Sequence, residues 1–157
     1  RGLVGSEMCI RDRYIGISAR GPAIKKHASY MYVIKACIKD KECIRSGKGT
    51  LENTTENQLA LTAIVHALMR FNKGCDICIN TSNEHVLNSC RNAWPQQWAK
   101  NNWVKSNGRQ VKNAELWQQY LNVSRMHNIS WSDEKEHEFS KWIDHELKKM
   151  EAEYVRV

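Results

Sequence analysis

The chain has 157 residues, 41% of them hydrophobic and only two of them proline, which suits one packed domain and argues against wholesale disorder. No apolar run reaches membrane-span length, and Glu7, Arg11 and Asp12 stand where a signal peptide needs an apolar core, so a cytoplasmic protein without a membrane partner is expected. The net charge is +7, but residues 132–153 hold four lysines against eight acids, or −4; the remaining +11 suits a polyanionic partner as well as an ordinary basic surface.

Residues 1–13 contain the run VGSEMCIRDR, which resembles a translated sequencing-adapter stretch from the end of a metagenomic read. They are expected to be a non-native leader, with a single domain over 14–153. Tyr14–Ser18 and Tyr30–Ile38 are rich in β-prone residues and predict two strands. A charged, glycine-containing turn from Lys39 leads to a third around Cys43–Leu51. Thr55-x-x-Gln58 reads as a capping box for a helix whose stripe is Leu59, Ala63, Ile64, Ala67, Leu68 and Phe71, stopped by Gly74. His66 lies within it and reads as structural. Ile77–Thr81 suits a buried strand, after which Ser82 or Asn83 caps a helix containing Val86, Leu87 and Cys90.

From Trp94 to Trp117 the chain holds four of its six tryptophans, with Lys100, Lys105, Arg109 and Lys112 opposed only by Glu115. Trp94 and Trp98 share a helix face, and Asn107-Gly108 breaks the following segment. Asn113 is expected to cap a helix with Leu116, Trp117, Tyr120 and Leu121 inward. Asn128–Ser132 is a last strand, and a charged helix is expected from Glu134 to the C-terminus, with Phe139, Trp142, Ile143, Leu147 and Met150 as its apolar stripe. The six cysteines read as reduced thiols; Cys75-Asp-Ile-Cys78 has no second pair nearby to complete a zinc site. The order βββαβα-arm-αβα is an α/β fold with a mixed sheet flanked by helices.

This order, with these residues, resembles the type 1 ribonuclease H family. The resemblance is densest in the tryptophan-and-basic stretch and its continuation Val111-Lys112-Asn113 and Leu116-Trp117; Thr54-Thr55-Glu56-Asn57-Gln58 is similar to the family's opening of the first helix. It implies a ribonuclease H-like fold with a five-stranded mixed sheet and a basic protrusion. It implies that Lys100, Lys105, Arg109 and Lys112 meet the phosphates of an RNA/DNA hybrid, with Asn113 reaching the backbone and Trp98 and Trp103 bracing the arm or stacking on a nucleotide.

The family's activity, two-metal cleavage of the RNA strand, needs carboxylates converging on one pocket. Three of the family's positions here fall on Ser18 or Ala19, on Ala60 and on Ser82, none of them acidic. Glu56 and Glu84 are the nearest acids in sequence to the last two. Asp144 is the surviving candidate for the fourth carboxylate and metal ligand, and His137 falls where the family has a mobile histidine. Binding of hybrid without hydrolysis and without a cofactor is the leading expectation. A divergent enzyme using Mg2+ or Mn2+, and a structural domain within a larger polymerase-like polypeptide, are the alternatives.

Overall fold

Strand β2 (Lys25–Ile38) carries apolar side chains at consecutive positions, and both of its faces are buried. Tyr30, Tyr32 and Ile34 belong to one core, Met31 and Val33 to another. Side chains alternate along a strand, so a continuous apolar run belongs inside a sheet covered on both sides. The structure is a computed structural model and describes residues 10–18, 23–38 and 41–156.

β2 lies second in a five-stranded sheet with β1 (Ile10–Ile17), β3 (Lys41–Thr54), β4 (Asp76–Thr81) and β5 (Asn128–Ser132), in the order β3-β2-β1-β4-β5. β1 and β3 run antiparallel to β2, while β4 is parallel to both β1 and β5. The mixed five-stranded sheet expected from the sequence is present, but its first three strands run longer than expected, β2 beginning at Lys25 rather than Tyr30 and β3 at Lys41. β1 begins at Ile10, inside the segment set aside as a leader, and pairs from there with β2 and β4. β3 runs on to Thr54, where the first helix takes over.

Helix α1 (Glu56–Leu68) is capped by Thr55, whose side chain accepts from the Gln58 N–H at 3.2 Å. Half of the expected capping box is therefore present; Gln58 Oε1 instead accepts from the Thr54 hydroxyl at 3.1 Å. Every residue from Leu59 to Leu68 except His66 is buried. A helix apolar on most of its circumference has to be covered on most of it, and α1 is covered by the sheet, by α2 (Glu84–Arg91) and by α4 (Ala114–Ser124). α3 (Trp94–Lys100) joins α2 to the basic segment. Trp117, 1% exposed, anchors α4 in this core.

The second core is smaller and lies between the sheet and α5 (Ser140–Arg156), where Phe139, Ile143 and Leu147 meet Met31 and Val33. α5 begins six residues later than the sequence predicted. Side chains consume the backbone groups that would extend it: the His137 N–H donates to Ser140 Oγ at 2.8 Å, and the Phe139 N–H donates to His137 Nδ1 at 3.1 Å. Gly16 allows the close approach of this layer, since a Cβ there would meet the Ile143 side chain. Two ion pairs bridge strand to helix layer, Lys35–Glu138 at 2.7 Å and Lys48–Glu146 at 2.9 Å.

Candidate functional site

The C-terminal ends of parallel strands are where loops leave a sheet and open a crevice. Here a cleft of about 380 Å³ opens beside β1 and β4, lined among others by Glu56, Asn80, Ser82, Glu134, His137 and Asp144. Ser82 follows the last residue of β4, Glu56 stands in the first turn of α1, and Asp144 lies near the start of α5. Asn80 Nδ2 donates to the Glu134 carbonyl at 2.9 Å, tying the loop after β5 to β4 and leaving Asn80 Oδ1 buried without a hydrogen-bond partner. His137 packs against Tyr14, ring centroids 4.3 Å apart and the planes tilted by 31°. Burial pulls its imidazole below the ordinary histidine pKa, against the opposing pull of Glu134, Glu136, Glu138 and Asp144.

The structure thus brings Ser82, His137 and Asp144 into one cleft and adds Glu134, which the sequence reading had not singled out. Its signal was available in sequence, as one of the two adjacent acids, Asp133 and Glu134, that follow the last strand. Ser18 does not line the cleft; its Oγ accepts from the Ser29 N–H at 2.6 Å. Ala19 lies outside the described residues. Ala60 is completely buried within α1, and Glu84 is absent from the lining. Two-ion chemistry requires several hard anionic oxygens around each ion. Glu56, Glu134 and Asp144 line the cleft, yet among the described residues no three acidic, histidine or cysteine groups gather closely enough to hold an ion. The described donors do not fit a two-ion centre.

A second concavity, about 640 Å³, lies on the other side of the first turn of α1. Thr55 and Asn57 line it, together with Trp94, Lys105, Lys112 and Asn113, while Glu56 between them faces the acidic cleft. Asn83 caps α2 by accepting from the Val86 N–H at 2.8 Å and holds Asn57 Oδ1 at 3.0 Å, so α1 and α2 are tied where the two sites adjoin.

The basic segment is shaped by its backbone. Trp103 N–H donates to the Trp98 carbonyl at 2.7 Å, and Val111 N–H to the Trp103 carbonyl at 2.9 Å. Asn102, Trp103 and Asn113 all have positive φ, which costs on the order of 1 kcal/mol or more per residue and persists only where the surroundings impose it. Asn113 does occupy the N-cap position of α4, but in this left-handed conformation it makes no side-chain capping bond.

Lys100 and Arg109 are exposed and do not line the groove; Lys105 and Lys112 are exposed and do. Trp98 lines the groove with one edge and packs on Trp117 with ring centroids 5.7 Å apart. Trp103 is half-buried against the main core. Trp94, 39% exposed, is the tryptophan that offers the groove its most open ring. His85 also lines the groove. Its pKa is held below the ordinary range, first by burial and then by Lys105 and Lys112. Neither Trp94 nor His85 was singled out as a site residue from the sequence.

The sheet order, the two helix layers and the cleft beside β1 and β4 define a ribonuclease H-like α/β domain. The solved structure of LC9-RNase H1, a type 1 RNase H with the type 2 active-site motif, superimposes with a TM-score of 0.72 over 90% of this chain and 72% of its own, at 16% identity. The foamy viral protease-reverse transcriptase in complex with RNA/DNA hybrid gives 0.68 over 93% of this chain and 20% of its own, at 14% identity. At such identities the likeness concerns the fold alone. The RNase H family model matches residues 23–141, and the chain belongs to that family. It is 34% identical over 89 residues to a ribonuclease H of Thermoanaerobacter sp. strain X514, covering 57% of each chain. With a ribonuclease H of Campylobacter curvus it shares 37% over 94 residues, or 60% of this chain and 62% of that one. The matches therefore span less than two thirds of these relatives' length.

Proposed function

We propose that this RNase H family domain binds an RNA/DNA hybrid along the groove between α1, α2 and the 94–113 segment, and does not hydrolyse it. The observation that carries this reading is the division at the first turn of α1. Thr55 and Asn57 share a groove with Lys105, Lys112 and Trp94, while the adjoining cleft is lined by Ser82 after β4, and Ala60 on α1 is an alanine buried away from it. Ammonium groups release counterions from a phosphate backbone, and an open indole face stacks on a base without regard to sequence. The structural relative in complex with RNA/DNA hybrid supports the choice of ligand.

The test is paired. Fluorescence anisotropy with a labelled hybrid is expected to report binding that weakens steeply with salt, and the same protein with Mg2+ or Mn2+ is expected to leave the RNA strand intact. Metal-dependent cleavage would overturn the non-hydrolytic half.

A divergent enzyme is the second reading, favoured by the three carboxylates Glu56, Glu134 and Asp144 on one cleft. It predicts cleavage that disappears in both Glu56→Gln and Asp144→Asn. A place within a larger polypeptide draws support from the polymerase relative, of which the match spans 20%. No helix among the described residues is long and apolar enough to cross a membrane, and the reading involves no membrane partner. A cytoplasmic setting belongs to the same reading.

A further inference from the structure

We propose that His85 is a contact residue for the nucleic-acid backbone and takes up a proton when the strand enters the groove, so that the groove grips more tightly as pH falls. This rests on the hybrid-binding reading above.

The geometry is specific. His85 lies in the first turn of α2 and lines the groove with Lys105 and Lys112, which come from the far side of the basic segment. The polar groups that line the groove at the start of α1 are its cap Thr55 and Asn57, and those at α3 are Gln97 and its C-cap Asn101, none of them titratable. Its own-helix neighbour Glu84 does not line the groove. His85 keeps part of its surface exposed; the partial desolvation of its ring and then the two ammonium groups lower its affinity for a proton in the free protein.

A neutral imidazole presents one donor and one acceptor, and the acceptor is the wrong polarity for a phosphate oxygen. A phosphate between Lys105 and Lys112 reverses the local field. It offsets both ammonium charges and adds a negative group that the imidazolium, with two donors, can contact. The protonated form is then favoured in the complex and disfavoured without it, and by linkage proton uptake and strand binding strengthen each other. The window runs from the lowered pKa of the free protein up to the raised pKa of the complex, and so straddles the ordinary histidine range.

The experiment measures hybrid affinity by anisotropy in EDTA at constant ionic strength, from about pH 8 to about pH 6, bracketing the histidine range. Wild-type affinity is expected to rise on acidification with a slope of up to about tenfold per pH unit, the limit that one linked proton sets. His85→Gln, with a matching circular-dichroism spectrum, is expected to lose that rise and give an affinity that stays flat across the range. His85→Lys, permanently charged, is expected to bind throughout as the wild type does at the lower pH. Parallel curves for wild type and His85→Gln overturn the proposal while leaving hybrid binding intact. No binding by the wild type at low salt at any pH overturns both readings.

Discussion

Cys90 and Cys37 stand at opposite ends of thiol reactivity. Cys90 packs against the main core, and burial pushes its thiol up to about 12, with a hydrogen bond from Tyr120 only partly offsetting this. Cys37 is exposed on β2. The thiolate is the reactive form, so iodoacetamide near neutral pH should modify Cys37 in the native protein and Cys90 only after denaturation. Peptide mapping that found both labelled at equal rates in the native state would contradict this placement. His137 carries a pH effect whose sign follows from its lowered folded pKa. As pH falls through the ordinary histidine value, the unfolded chain takes up the proton first and stability declines, until the folded pKa is reached. The urea midpoint should therefore fall on mild acidification, less steeply in His137→Gln than in wild type. Thr55 and Asn83 were readable as caps because a cap binds donors two or three residues away. His85 was not readable as a site residue, because Lys105 and Lys112 reach it only through the tertiary fold.

Gly16 decides how closely α5 can lie on the sheet. In Gly16→Ala the new methyl collides with Ile143, and overpacking of this kind costs about 1–3 kcal/mol. Urea denaturation should register that loss. Relief requires the Ile143 side chain, or α5 with it, to move, a shift that NMR spectra of α5 would detect. In α1, Leu59 is fully buried under the sheet, and Leu59→Ala should cost about 2–5 kcal/mol by the same measurement. The two helices also differ in how far the sequence exposed them. The cap and apolar residues of α1 agree on one start. The run from Asp133 to Glu138 has helix-favouring glutamates and a lysine, yet His137 and Ser140 divert its backbone hydrogen bonds, which residue propensity alone does not reveal. The left-handed turn at Asn113 was equally hidden, since that residue type suits an ordinary cap and only the packing of the basic segment selects the other conformation.

Charge is segregated across the whole molecule. Acids gather along 133–153 and the adjoining cleft, whereas Lys105 and Lys112 face the groove across the first turn of α1. A strand lying in the groove should be held chiefly by those two lysines. Lys105→Ala and Lys112→Ala should each reduce the slope of log affinity against log salt by about 1, and Lys100→Ala and Arg109→Ala by less. Equal losses at all four positions would instead favour a diffuse basic surface. The division of the apolar residues into two cores was visible in the unbroken run of β2, but which core was larger depended on α1, α2 and α4 packing together on one face of the sheet. The order of the strands has one more consequence, for behaviour in concentrated solution. β3 is a long strand with an unpaired rim, the kind of template on which chains can zip together into fibrils. Lys41, Glu42, Arg45, Lys48 and Glu52 stud it with charges of both signs, and Gly47 and Gly49 lie beneath the rings of Tyr32 and Tyr30. That decoration guards the rim against self-association, and replacing Arg45 and Lys48 with valine should turn a clear solution turbid.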